Sequence, residues 1–170
     1  MPFILRKIRK SRWYDHNDIS WLSLGELQAD ALNDLETEDN RLSVWHIEDN
    51  KSNLDQVITA LALNSDSPSI FDFALVDLAV LQKINAKVEP VEAQSPYAEA
   101  NRWHCDLFEL TGRKRLDLAE AMSNRTNRQR YKRSRVLQLA IDAVAAEKIK
   151  ISELSQSWQK EIRKRTKGNP

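Results

Sequence analysis

Apolar positions along the chain recur in two rhythms, and together they outline the elements. Leu24, Leu27, Ala31, Leu32 and Leu35 step three and four residues at a time. Ser23 precedes Glu26 at capping-box spacing, so a helix is predicted over about 24–36. Leu42 to Ile47 is instead a short apolar run with Val44, Trp45 and Ile47, flanked by polar turns, and it predicts a strand buried on both faces. Leu54, Val57, Ile58 and Leu61 then fall at i, i+3, i+4 and i+7 behind Ser52, the clearest amphipathic helix in the chain. Ile70 to Val76 is strand-like again. Strand, helix and strand joined by short loops predict a βαβ unit, with the two strands parallel if they share one sheet.

The pattern continues with a short helix over Leu78 to Ile84 and a strand over Ala86 to Val91, which Pro90 assigns to a sheet edge. At the other end, Phe3 to Tyr14 has strand composition with basic residues interleaved, as in a protected edge strand. Beyond Gln94 the helical period dominates. Ser95-Pro96 opens a helix with the stripe Ala100, Trp103, Leu107 and Leu110. Thr111-Gly112 separates it from a helix through Leu116, Ala119 and Met122. A long helix buries Val136, Leu137, Ala140, Ile141 and Val144. Ser152 caps a last helix carrying Leu154, Trp158 and Ile162.

The expected fold is therefore α+β, a small three- to four-stranded mixed sheet containing a βαβ unit. A C-terminal bundle of about four helices covers and follows it. Residues 1–94 form an acidic α/β half and residues 95–165 a basic helical half. No Gly/Ser-rich linker divides them, which favours one compact unit.

Composition narrows the function classes. Of the 170 residues, 41% are hydrophobic and 30% charged, enough apolar material for a core and too polar for a membrane protein. The N-terminus turns basic too early for a signal peptide, and the single Cys105 excludes an internal disulfide and a cysteine-based zinc site. A cytoplasmic location is the expectation. Three glycines leave no glycine-rich phosphate loop.

Charge is strongly partitioned. Residues 1–14 carry +5, residues 15–99 carry −13 and residues 100–170 carry +9, for a net +1. Like charges confined to one surface repel, so either the segments neutralise each other within the fold or a partner compensates them. The most concentrated cluster is Arg125, Arg128, Arg130, Lys132, Arg133 and Arg135, with Tyr131 among them. As a helix this stretch is cationic nearly all round. It would protrude as an arm, with arginine forks for phosphate and a tyrosine to stack on a base. Arg6, Lys7, Arg9, Lys10 and Arg12 add a second basic run, and Trp13 beside them suits an interface anchor. A helix-turn-helix over Leu116 to Val136 fits poorly, because Asn124 falls where an apolar residue is needed.

Catalytic chemistry finds less support. His104 and Cys105 are adjacent and cannot share a proton along one element, while His16 and His46 are the only other histidines. Asp49 and Asp77 follow predicted strands, where open α/β sheets place ligands, and with His46 they form the best set for an enzyme. No metal-ligand spacing occurs and no cofactor is implied. The leading expectation is a non-catalytic cytoplasmic binding or adaptor protein, an accessory subunit whose cationic surface contacts nucleic acid or an acidic protein. Its alternatives are a small α/β enzyme with acids at strand ends and an inhibitor or antitoxin-like protein masking a basic partner.

Overall fold

A computed structural model describes residues 2–9, 13 and 27–167. Six strands form one sheet: β1 (Phe3–Ile8), β2 (Leu42–Ile47), β3 (Phe71–Asp77), β4 (Lys87–Pro90), β5 (His104–Phe108) and β6 (Arg128–Tyr131), in the order β4-β5-β2-β1-β3-β6. Every neighbouring pair is antiparallel. The helices are α1 (Leu54–Leu63), α2 (Leu78–Lys83), α3 (Ala98–Asn101), α4 (Gly112–Ser123), α5 (Arg133–Ala145) and α6 (Gln156–Lys167), with 3-10 turns at Ala29–Leu35 and Ile151–Glu153.

Alternation along the strands sends side chains to two apolar layers. One face carries Leu5, Trp45, Ile47, Phe71, Phe73 and Leu75 beneath α1, α5 and α6, which contribute Ile58, Val136 and Trp158. The opposite face carries Ile4, Ile8, Val44, Val76 and Leu107 beneath the first 3-10 turn, α2 and α4, which contribute Leu35, Leu81 and Leu118. The sheet is thus sandwiched between two helical layers. The α+β class holds, whereas the three- to four-stranded mixed sheet and the separate C-terminal bundle are corrected: six antiparallel strands, with the later helices divided between both faces.

Three further corrections explain the difference. Phe3–Ile8 is not an edge strand. It lies between β2 and β3, which its unbroken Phe3-Ile4-Leu5 run permits by filling both faces. The predicted βαβ unit survives only as direction: β2 and β3 run the same way, but β1 separates them and pairs antiparallel with each. Residues 104–108, assigned by periodicity to a helix, form β5, because Val44 and Val88 supply partners on either side for Cys105 and Leu107. Short apolar stretches fit either period, and pairing decides between them. With β5 and β6 in the sheet, the second half is not wholly helical.

Local signals account for several boundaries. Asp77 caps α2 by accepting from the Ala79 N–H at 2.8 Å, and Thr111 caps α4 through the Lys114 N–H at 3.3 Å. Ser155, rather than Ser152, takes the Trp158 N–H at the start of α6. The helix predicted over 24–36 is described only from residue 27, as the 3-10 turn at Ala29–Leu35.

Candidate cationic interface

Residues 125–135 do not form a protruding helix. They run from a turn into the edge strand β6, through Lys132, and into the first turn of α5. Sheet registry then sets their partners. Arg130 opposes Asp72 on β3, and its Nε and Nη2 donate to the two carboxylate oxygens at 2.7 and 3.0 Å. Asp55 on α1 accepts from the Tyr131 hydroxyl at 3.0 Å and from Arg135 Nη2 at 2.5 Å. Arg133 bonds the Pro68 carbonyl at 3.1 Å and Glu161 on α6 at 2.7 Å. Arg125 and Arg128 also have partners. The run is a clasp that ties β6 and α5 to the acidic first half, and this accounts for part of the charge partition. Burial, then the bond to Asp55, pushes the Tyr131 phenol up to about 12.

The N-terminal run is partly engaged within the fold as well, although Lys7 and the Arg9 side chain are exposed. Arg6, half-buried, donates from Nη1 to the Ser43 carbonyl at 2.7 Å and from Nε to the Asp34 carbonyl at 3.0 Å. Burial lowers its pKa. The Arg9 N–H donates to Asp34 Oδ2 at 2.6 Å, and the Arg9 guanidinium lies 3.9 Å from the same carboxylate. Trp13 is not displayed at an interface. It is 2% exposed within the core, with Nε1 donating to Asp34 Oδ2 at 2.7 Å. Asp34 thus gathers three groups from the basic N-terminus, and the indole satisfies its polar edge while burying its ring. Lys10 and Arg12 lie outside the described residues.

A cluster of cations facing solvent lies elsewhere, on α6. Trp158 and Ile162 anchor that helix, and Lys160, Arg163, Lys164 and Arg165 are exposed. Among the described residues, Lys160, Lys164 and Arg165 make no ion pair. Glu161, the one acid of α6, is held by Arg133, and this bond is the main cause of its lowered pKa. An open groove of about 750 Å³ runs between α5 and α6, with Leu137 and Ile141 at its floor and Arg133, Lys164 and Arg165 at its rim. Exposed Lys132 precedes α5. The signal was present in the sequence as Lys160, Arg163 and Lys164 at helical spacing among the residues that flank Trp158 and Ile162. The arginine cluster at 125–135 is denser and carries the stronger local signal.

The residues weighed for catalysis are dispersed among structural tasks. Asp77 is occupied as the α2 cap, and His46 stacks on Trp103 with centroids 5.9 Å apart. Asp49 is not without a partner. His104 and Cys105, neighbours on β5, point to opposite faces. His104 Nδ1 bonds the Val91 carbonyl at 2.8 Å, while burial pushes the Cys105 thiol up to about 11 and keeps it protonated at neutral pH. Among the described residues no three His, Cys, Asp or Glu side chains are grouped to hold a metal ion, and no helix is long and apolar enough to cross a membrane. Compared with family models, with curated proteins and with solved structures, the chain matches none.

Proposed function

We propose that this protein is a non-catalytic binding protein, an accessory or adaptor subunit of the cytoplasm, that contacts the phosphate backbone of a nucleic acid through α6 and the α5–α6 groove. One observation carries the reading: an exposed helix bearing Lys160, Arg163, Lys164 and Arg165 whose single acid is already engaged by Arg133. Uncompensated surface cations repel one another, and a polyanion relieves this while releasing its counterions. The site expected at 125–135 shifts accordingly. Arg130, Tyr131, Arg133 and Arg135 act in holding the fold, and exposed Lys132, which precedes α5, adds to the contact.

The test is retention on mixed-sequence duplex DNA and on single-stranded RNA as salt is raised from about 50 to 200 mM, where several phosphate contacts lose orders of magnitude in affinity. Replacing Lys160, Lys164 and Arg165 together by Gln is expected to abolish retention and to flatten the salt slope, with the melting temperature unchanged. Binding to an acidic polypeptide but to neither nucleic acid would transfer the surface to an acidic protein partner.

A further inference from the structure

A narrow seam holds α6 to the body. Trp158 and Ile162, one turn apart, are its buried residues, at 0% and 2% exposure. At about 100° per residue, Lys160 lies opposite the midpoint of that seam, and Gln156, Ser157, Arg163 and Lys164 fall within about 60° of it. All five are exposed. The helix of 12 residues therefore turns a crest about 120° wide and about 18 Å long toward solvent. On that crest Lys160 and Lys164 make no ion pair among the described residues, and Arg163 bonds the neutral Gln159 amide at 3.1 Å. Arg165 lies lower, at the rim of the α5–α6 groove. Exposed Asp66 flanks the N-terminal end, its carbonyl accepting from the Ser155 hydroxyl at 2.6 Å. Positive charge is thus concentrated from Lys160 onward.

This shape and chemistry discriminate among forms of nucleic acid. Single strands are held by stacking bases on exposed aromatic rings. Neither the crest nor the lining of the groove offers one, and the indole of Trp158 is wholly covered. A-form RNA duplexes have a deep, narrow major groove that side chains cannot read. The major groove of B-form DNA is about 12 Å wide, and a helix with its side chains is about 10–12 Å across. Glutamine and lysine pair there with the edges of adenine and guanine, while arginine and lysine at the flanks reach phosphate oxygens.

We propose that α6 enters the major groove of B-form duplex DNA. Gln156 and Lys160 face the base edges, and Arg163, Lys164 and Arg165 grip the phosphates on either side. This rests on the phosphate-binding reading of α6 and adds to it the form of the nucleic acid and the groove.

The experiment measures fluorescence anisotropy of the full chain with three labelled probes at one salt concentration. They are a short mixed-sequence DNA duplex, the RNA duplex of the same sequence, and one DNA strand alone. The DNA duplex is expected to bind at least about tenfold more tightly than the other two. Methyl green, which occupies the major groove, should displace the protein, and netropsin, which occupies the minor groove, should not. Lys160→Gln should weaken duplex binding about fivefold or more. Lys83→Gln removes the same charge from exposed α2 on the opposite face of the sheet and should stay within about twofold. RNA duplex or single strand bound as tightly as duplex DNA would overturn the groove assignment and leave phosphate contact standing, as would displacement by netropsin alone or equal losses in the two variants. Binding to none of the three probes would overturn the groove assignment together with the reading beneath it.

Discussion

The Arg130–Asp72 pair offers the sharpest check on what the basic run does. Asp72 stands on β3, with its side chain 9% exposed, and Arg130 reaches it from the edge strand with a side chain 33% exposed. Arg130→Met keeps the aliphatic stem and removes the guanidinium, leaving a largely desolvated carboxylate without its two-point partner. Removing one member of a fully buried pair costs about 3–5 kcal/mol. Solvent reaches the arginine side here, so screening reduces the expected loss to about 2–3 kcal/mol. For a chain of this length each kcal/mol moves the midpoint by about 2–4 °C, so the variant should melt about 4–12 °C lower.

Urea and thermal unfolding read the effect, with Lys87→Met as the comparison. The Lys87–Glu109 pair is more than half exposed on both sides, and its loss should register below about 1 kcal/mol. Combining Arg130→Met with Asp72→Asn should recover part of the deficit, because the uncompensated charge is gone, and the cycle should report a coupling of about 1–2 kcal/mol. A loss under about 0.5 kcal/mol for Arg130→Met, or strict additivity of the two changes, would refute the view of this arginine as a structural clasp.

Other consequences are more compact. Trp13→Ala should destabilise by about 3–5 kcal/mol, as for other buried aromatics, with Trp13→Phe losing less because it removes chiefly the bond to Asp34. A neutral Trp13→Ala in chemical denaturation would contradict the buried placement. Cys105 should resist a thiol reagent at pH 8 in the native protein and react at once in denaturant; rapid native labelling would show an accessible thiolate. The fold stabilises the neutral Tyr131 phenol, whose pKa is raised to about 12. Its contribution is therefore complete below the unfolded value of about 10 and is lost as pH climbs from there toward 12. Tyr131→Phe should cost about 1 kcal/mol at pH 7 and progressively less above pH 10, followed by unfolding at stepped pH.

Much of the element order was legible from local pattern. Leu54, Val57, Ile58 and Leu61 announce α1 because a 3.6-residue period leaves no other way to bury one face, and Pro90 marks β4 as an edge because proline lacks the donor an inner strand needs. Local pattern was ambiguous where an element is short. His104–Phe108 satisfies both periods, and Arg128–Tyr131 has no apolar period at all, so each became a strand only because β2, β4 and β3 offered free edges. β1 likewise took the centre of the sheet through long-range pairing that its interleaved bases obscured. The tertiary fold also decided which cations are engaged. Arg130 meets a carboxylate 58 residues away and Arg135 one 80 residues away, while Lys160, Lys164 and Arg165 face water. Charge type is written in the chain, but its compensation depends on distance in space. Coulomb attraction falls with separation and strengthens as water is excluded, and folding sets both.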